Sequence, residues 1–210
     1  MICEAHPLPA TEVTTVSAEQ VIDPEANQDA VLGPLVRVVE EAAAGERWAL
    51  VGAVACRLQG VVATSPNLEF ITGESPLHTL AEMLDMPSEW GRGTHLAAQR
   101  LHFMRKAVPV FIFGSPVFHG RYDTLTPMEI PSLWDARARV TLEACAVPTT
   151  PLEWELLLAV VLESAARIEV LRDHLRTHGF DNRLLTRLLR EGHVGAATEE
   201  AVWRQLEADA

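Results

Sequence analysis

Residues 46 to 84 alternate short apolar stretches with helix-forming ones, and this alternation constrains the fold more than any other feature of the sequence. RWALVG predicts a short buried strand, and GAVACRLQG, bounded by Gly52 and Gly60, predicts a two-turn helix. NLEFIT predicts a second strand, and SPLHTLAEML predicts a helix with Ser75 as N-cap and Pro76 at its first position. Such alternation over a short stretch is typical of an α/β domain.

Later segments add strands and helices to this unit. RLHFMRKAVPVFIFGS predicts a hairpin that breaks near Lys106 to Pro109, where the proline favours an edge or bulged strand. TPLE at residues 150 to 153 predicts a capping box with Thr150 as N-cap. Apolar spacing and glycine stops then predict helices at 151–163, 165–178 and 181–191, and a last helix from Thr198. We therefore predict an α/β (α+β) fold, in which helices flank a mixed sheet and a C-terminal helical bundle follows.

The chain divides into three predicted regions. Residues 1–27 contain five acidic side chains and no Lys or Arg, which predicts an acidic N-terminal arm, either a tail or a docked edge strand. Residues 28–148 form the predicted α/β core, which opens with a helix from about Asp29 to Ala44. Residues 149–210 form the predicted C-terminal helical region, packed on that core.

The charge balance argues against nucleic acid as a partner. The net charge is −12, and Lys106 is the single lysine beside sixteen arginines, which form no cluster. Nucleic-acid binders normally concentrate basic side chains on one face, because phosphate contacts supply most of their affinity. We expect no nucleic-acid partner.

Cysteine usage and hydropathy predict a cytoplasmic protein. Cys3, Cys56 and Cys145 are too few and too scattered for a disulfide framework or a zinc knuckle, which favours reduced thiols. The N-terminus lacks the basic start and apolar run of a signal peptide. The longest aliphatic run, residues 156 to 162, is much shorter than the roughly 20 residues that cross a bilayer. We expect a soluble, intracellular protein with no membrane contact.

The stretch GAVACRLQGVVATSPNLEF raises the question of chemistry. A strand, a small-residue turn and a helix start can expose backbone N–H groups to phosphate oxygens. On the following strand Asn67 and Glu69 are two residues apart, so their side chains point to the same face. Paired carboxylates at such positions would hold Mg²⁺ and support nucleotidyl transfer by positioning and charge neutralisation.

These residues resemble the nucleotidyltransferase superfamily, in particular its minimal and abortive-infection branches. The family pattern is G-G-x-A-x-x-x-x-G, followed seven residues later by a D-x-D pair that Ser or Thr precedes. The first part corresponds to Gly52, Ala53, Ala55 and Gly60, and the second to Ser65, Asn67 and Glu69. The segment VPTTPLEWELLLAVVL, with the helices after it, is similar to that branch's closing helices. The resemblance implies nucleotide binding at Gly52, Ala53 and Ser65, catalytic roles at Asn67 and Glu69, and metal binding at Glu69.

Departures from the family pattern fall on the chemical positions. The second glycine is Ala53, the first aspartate is the neutral Asn67, and the second is Glu69. The third acidic residue is expected near VPVFIF, where Pro109 occupies the most natural register, and a lysine is replaced near Leu158. Mg²⁺ selects anionic oxygen ligands, so one carboxylate is a poor match for two such ions. Glu74 or Asp123 could approach from a loop.

We therefore predict a nucleotidyltransferase-fold protein that is catalytically degenerate and acts by binding a nucleotide or a protein partner. The first alternative is an active Mg²⁺-dependent nucleotidyltransferase that modifies a protein or small molecule, with Glu69 as the main metal ligand. The second alternative is a structural protein whose N-terminal arm mediates self-association into a homo-oligomer. If the site is a generic β-α-β pattern, Asn67 and Glu69 belong to the solvated face of an alternating strand, with Leu68 and Phe70 inward.

Other polar residues have simpler interpretations. His174 and His178 share a face of one helix but lie in its last turn, where histidine favours the helix dipole, so surface roles are predicted. His95, His102 and His119 surround the predicted hairpin and could meet in space, and their role is left open.

Two arginines and one serine are also predicted to have no part in chemistry. Arg57 and Arg100 are expected to lie at the surface, and Ser115 is expected to be a loop serine, since the second glycine of a nucleophile elbow is absent. Helical spacing predicts a buried face of Trp154, Leu157, Leu158 and Val161.

Overall fold

The computed structural model describes residues 24–142 and 145–207. In these residues the helices are α1 (Pro24–Ala43), α2 (Gly52–Leu58), α3 (Glu74–Met83), α4 (Pro131–Asp135), α5 (Leu152–Val161), α6 (Ala165–His178), α7 (Asn182–Glu191) and α8 (Ala196–Leu206). The strands are β1 (Trp48–Val51), β2 (Leu68–Thr72), β3 (Glu89–Arg92), β4 (Leu96–Arg105), β5 (Val108–His119), β6 (Thr124–Leu125), β7 (Ala138–Leu142) and β8 (Cys145–Thr149). The predicted fold, a mixed sheet with flanking and closing helices, is confirmed.

The strands form one sheet in the order β3-β4-β5-β2-β1-β8-β7, and β6 pairs with β5. β1 runs antiparallel to β2, whereas β2 runs parallel to β5 and β1 runs parallel to β8. The register places Val51 opposite Glu69, and Glu69 opposite Phe111. These three residues therefore form one row across the middle of the sheet, with their side chains on the same face.

Helices cover both faces of the sheet. One apolar core joins α1 and α3 to the face that carries Leu50 and Phe70. The other core joins the C-terminal helices to the opposite face, with Ile71 and Trp154 fully buried. Neighbouring residues of β2 enter different cores, as the period of two in a strand requires. The row that contains Glu69 lies on the face that the C-terminal helices cover.

The β4–β5 hairpin agrees with the prediction at its turn and differs at its proline. Lys106 and Ala107 form the turn with φ of 47° and 62°, the conformation that matches the twist of two antiparallel strands. β5 lies between β4 and β2, so the expectation of an edge strand is wrong. Pro109 is tolerated because the pairing of β5 with β2 begins one residue later, at Val110.

Three predicted helix starts differ from those in the structure. α3 begins at Glu74 with Gly73 as N-cap, one residue before the expected cap Ser75. α5 has Pro151 as N-cap, since the Thr150 hydroxyl donates to the side chain of Glu155 instead of capping the helix. α8 begins at Ala196, before the expected Thr198. At α5 the Thr150 hydroxyl bonds to a carboxylate within the same helix, and at α8 the Thr198 hydroxyl bonds to Asp123, so neither caps its helix.

The predicted acidic arm, residues 1–27, lies outside the described residues up to residue 23. α1 begins at Pro24, five residues before the predicted start at Asp29. None of the helices in the described part of the chain is long and apolar enough to cross a membrane.

Candidate functional site

Gly52 follows the last residue of β1 and begins α2, with φ of +83°. Glycine adopts this left-handed conformation without the steric cost that a side chain would add. A Cβ atom at this position would lie 2.8 Å from Oε2 of Glu69. The predicted turn and the predicted carboxylate are therefore in direct proximity: the backbone conformation favours glycine, and a larger residue would also have to displace the end of the Glu69 side chain.

Glu69 is half-buried and is the second residue of β2. Burial raises the pKa of its carboxyl above the ordinary value, and the positive charge of Arg167 and a hydrogen bond from the Asn67 side chain oppose that rise. The Asn67 amide thus forms a hydrogen bond with the Glu69 carboxyl and adds no charge to the site. The side chains of Asn67 and Glu69, which the sequence pairs, are together in the structure, and only that of Glu69 is ionisable.

Ser65 and Ala53 have positions that the sequence did not specify. The Ser65 hydroxyl oxygen accepts a hydrogen bond from the backbone N–H of Asn67 at 3.1 Å, and its carbonyl accepts one from the buried Gln28 side chain. These bonds fix the loop that leads into β2. Ala53 is half-buried in the first turn of α2. The roles of Ser65 and Ala53 toward a nucleotide stay predictions.

Glu155, on α5, is the residue at this site that the sequence pattern did not identify. It is fully buried, and its Oε1 accepts a hydrogen bond from the backbone N–H of Gly52 at 3.1 Å. The hydroxyl of Thr150 donates to the same oxygen. A signal for its importance was present, because Glu155 is a charged residue next to the apolar run LLLAVV, where burial is costly without a partner.

Arg167, on α6, supplies the positive charge of the site. Its Nη2 forms an ion pair with Oε2 of Glu155, and its side chain is one quarter exposed. Its charge also acts on Glu69 and on the thiol of Cys56. One guanidinium therefore lies among two carboxylates and a thiol. No sequence motif marks Arg167, which is one position of the predicted helix 165–178.

The neighbouring strand carries an aromatic residue where the family pattern expects an acid. The position of β5 in register with Glu69 is Phe111, not Pro109 as the sequence suggested. The Phe111 ring stacks on His102 of β4 with ring centroids 4.3 Å apart and planes at 11°. Phe113, two residues further along β5, lies nearly parallel to it at 6.1 Å. We call His102, Phe111 and Phe113 the aromatic shelf.

Neither loop carboxylate that could have completed the site does so. Glu74 lies in the first turn of α3, is largely exposed and contacts His78 at 3.7 Å. Asp123 accepts hydrogen bonds from the Gly195 N–H at 2.7 Å and from the Thr198 hydroxyl, so it anchors the start of α8. The lysine of the family pattern is replaced by Leu158, which is buried in the C-terminal core.

The arginines and histidines singled out from the sequence lie away from Glu69 or have other partners. Arg57 pairs with Asp29 of α1 at 2.6 Å. Arg100 is exposed on β4, close to the Gly91 backbone of β3. His174 and His178 stack on each other at the end of α6, with ring centroids 4.2 Å apart.

The three histidines around the hairpin do not all meet. The His119 N–H donates to the carbonyl of His95 at 2.9 Å, which joins those two residues at one end of the hairpin. His102 pairs with Phe111, eight positions along β5 from His119. The aromatic partner of His102, rather than another histidine, defines its environment.

The donor set does not fit the magnesium ions that the fold family implies. Beside Glu69 lie the amide of Asn67, the phenyl ring of Phe111 and the guanidinium of Arg167, and none of these is an anionic oxygen ligand. The carboxylate of Glu155 is already bonded to Gly52 and Arg167. Within residues 24–142 and 145–207, no group of three or more His, Cys, Asp or Glu side chains could hold a metal ion.

Comparison with known proteins supports the fold. No protein-family model and no curated protein sequence matches this chain. A candidate nucleotidyltransferase from Thermotoga maritima matches with a TM-score of 0.51 and 16% identity, over 69% of this chain and 92% of that one. An antigenic nucleotidyltransferase-like protein from Paracoccidioides brasiliensis matches with a TM-score of 0.45 and 11% identity, over 87% and 95% of the two chains. Identity this low shows fold and not activity. The Thermotoga maritima match therefore shows a nucleotidyltransferase-like fold for this chain, as the sequence resemblance predicted.

Proposed function

We propose that this protein is catalytically degenerate and acts by binding a nucleotide rather than by transferring a nucleotidyl group. The pairing of Glu69 with Phe111 carries the proposal, because an aromatic ring occupies the position on β5 where a carboxylate would complete the metal site. Asn67, which corresponds to the first aspartate of the family pattern, is a second position that lacks a carboxylate. A single uncommitted carboxylate cannot neutralise the two divalent cations that nucleotidyl transfer uses.

The aromatic shelf gives the proposed ligand a place to bind. His102 is exposed, and Phe111 and Phe113 are half-buried on the same face of the sheet as Glu69. The three rings are nearly parallel, with interplanar angles of 11° and 12°. Stacking of a base on an aromatic ring contributes about 1–3 kcal/mol and tolerates any base. A nucleobase is therefore the chemical group that the shelf suits.

Calorimetry tests the proposal directly. ATP, GTP and CTP are titrated into the full chain in EDTA and in Mg²⁺, and we expect the same affinity in both buffers. His102→Ala should weaken binding by about 5- to 150-fold, the equivalent of one stacked base. Met104→Ala is the matched control, since Met104 is also exposed on β4, two residues along the same face. We expect no change in affinity for that variant.

Three results would favour other functions. Label transfer from an α-phosphate-labelled nucleotide would establish an active Mg²⁺-dependent enzyme if Glu69→Gln abolishes it. The observation in favour of this alternative is that the Glu69 carboxylate lies against Gly52. Absence of binding by all three nucleotides would exclude the nucleotide proposal and leave a protein partner. Self-association through residues 1–27 would appear as a loss of solution mass when that segment is deleted.

A further inference from the structure

We propose that the guanidinium of Arg167 takes the place of a divalent cation at this site and holds the carboxylates of Glu69 and Glu155 together. The inference rests on the proposed function, since it explains how the cleft can be complete without a metal. Arg167 is not a position of the family pattern.

The two carboxylates approach Gly52 from different elements. Oε1 of Glu155 accepts the Gly52 N–H at 3.1 Å, and Oε2 of Glu69 would lie 2.8 Å from a Cβ on the same residue. Glu155 comes from α5 and Glu69 from β2. Two like charges repel each other strongly in so small and poorly hydrated a space, and a cation close to both offsets that repulsion.

Arg167 meets this requirement from within the chain. It forms an ion pair with the fully buried Glu155, and its charge opposes the burial effect on Glu69. A buried charge without a partner is strongly destabilising, so Glu155 depends on a cation that is always present. A guanidinium stays charged at any physiological pH and is the group best suited to bridge carboxylates. A metal ion would have to displace Arg167 in order to bind here.

An ordinary structural ion pair is the alternative interpretation, and response to a metal separates the two. If Arg167 only links α6 to α5, its removal lowers stability and added metal does not restore it. If Arg167 replaces a cation between two carboxylates, its removal leaves a site of two anionic oxygen ligands, which hard divalent cations prefer. Binding to the folded state then raises the unfolding temperature.

The experiment follows thermal unfolding of the full chain in EDTA and in millimolar Mn²⁺, without nucleotide. We expect the wild type to unfold at the same temperature in both buffers. Arg167→Met should unfold at a lower temperature in EDTA and recover by about 3 °C or more in Mn²⁺. The double variant Glu155→Gln/Arg167→Met should show no recovery, because one of the two carboxylates is gone.

Arg183→Met is the matched control. Arg183 is exposed on α7, so the same substitution there should leave the wild-type result unchanged in both buffers. Electron paramagnetic resonance of Mn²⁺ provides a direct count of bound ions, which a purely structural role for Arg167 would not alter. We expect about one bound ion in Arg167→Met and none above background in the wild type.

Three outcomes would overturn the proposal. The first is a wild type that Mn²⁺ stabilises as much as Arg167→Met, and the second is a folded Arg167→Met that does not respond to Mn²⁺. If Arg167→Met is unfolded in EDTA, the experiment is to attempt refolding in Mn²⁺. Recovery of the circular dichroism spectrum would support the proposal, and failure to recover it is the third outcome against the proposal. Because no nucleotide is present, these results are independent of whether the proposed ligand binds.

Discussion

The backbone N–H of Gly52 donates a hydrogen bond to the Glu155 carboxylate at 3.1 Å, although 103 residues separate the two in the chain. The bond joins the start of α2 to α5, so the C-terminal helices reach the turn that follows β1. On its other side, Gly52 lies against the carboxylate of Glu69. The geometry of one glycine therefore depends on the sheet and on the C-terminal helices together.

Gly52→Ala should lower the free energy of unfolding by about 2–3 kcal/mol. A left-handed conformation costs a residue with a side chain about 1–2 kcal/mol, and the new Cβ must also displace the end of the Glu69 side chain. Urea unfolding of the variant and the wild type measures the difference.

Gly45→Ala separates the two contributions. Gly45 has φ of +90°, but a Cβ there would meet nothing within 4 Å, so only the conformational cost of about 1–2 kcal/mol applies. An equal loss of stability in the two variants would contradict the close contact between Gly52 and Glu69.

Glu155 and Arg167 should be strongly coupled in stability. Removing one partner of a buried ion pair leaves the other uncompensated and typically costs about 3–5 kcal/mol. We therefore expect Glu155→Gln and Arg167→Met each to be strongly destabilising. The double variant should lose less than the sum of the two losses, by about 1–3 kcal/mol. Urea unfolding of the four proteins completes the double-mutant cycle.

The pair Glu200 and Arg204 on α8 provides the reference for this cycle. Its atoms approach to 2.6 Å, and both side chains are largely exposed. Exposed pairs at this spacing contribute about 0.3–0.5 kcal/mol. A coupling between Glu155 and Arg167 as small as this reference would show that the buried pair is not an energetic unit.

Local sequence signals were sufficient to predict most of the fold. The strand around Ala49, the turn at Gly52 and the strand around Phe70 follow from apolar runs and glycine positions, and all three lie where predicted. Helix starts were less accurate, because Thr150 bonds to Glu155 instead of capping α5. Capping rules consider bonds to the first N–H groups of a helix, whereas this hydroxyl donates to the buried carboxylate of Glu155, which needs hydrogen-bond donors.

The site was predictable in part, for a related reason. Gly52 and Glu69 belong to one short strand–helix–strand segment, and the resemblance to the family pattern placed them in one site. Glu155 and Arg167 enter from the C-terminal helices, about one hundred residues away, and no periodicity encodes that contact. The sequence also did not determine the register of β5 with β2. In the structure Phe111, and not the expected Pro109, is the neighbour of Glu69 on β5.

Glu69→Gln should become more stable than the wild type as the pH rises. Burial raises the pKa of Glu69 above the ordinary value of 4.5, so the folded chain retains this proton to a higher pH than the unfolded chain does. The free energy of unfolding therefore falls as the pH rises from 4.5 through the raised pKa. Glutamine has no proton to lose. The advantage of the variant should grow across that window and then stay constant, as measured by urea unfolding from about pH 4 to 8.

Glu191→Gln should give the opposite sign. The Ser132 N–H donates to the Glu191 carboxylate at 2.8 Å, and this bond lowers the pKa of Glu191 below 4.5. The ionised residue therefore stabilises the wild type above pH 4.5, and the contribution disappears as the pH falls through the lowered pKa. A Glu69→Gln variant that shows the same pH trend as Glu191→Gln would contradict the burial of Glu69.

Cys56 should report whether the site is closed around α2. Burial raises the pKa of its thiol to about 11, with the charge of Arg167 opposing the rise, so about one molecule in a thousand carries the reactive thiolate at pH 8. Cys145 is half-buried. The variants Cys3→Ser/Cys145→Ser and Cys3→Ser/Cys56→Ser each retain one of these two thiols. With a thiol reagent, we expect Cys56 to react about a hundred-fold or more slowly than Cys145 in the native protein. In urea the two reaction rates should converge. Equal rates in the native protein would mean that the core around α2 does not bury the Cys56 thiol.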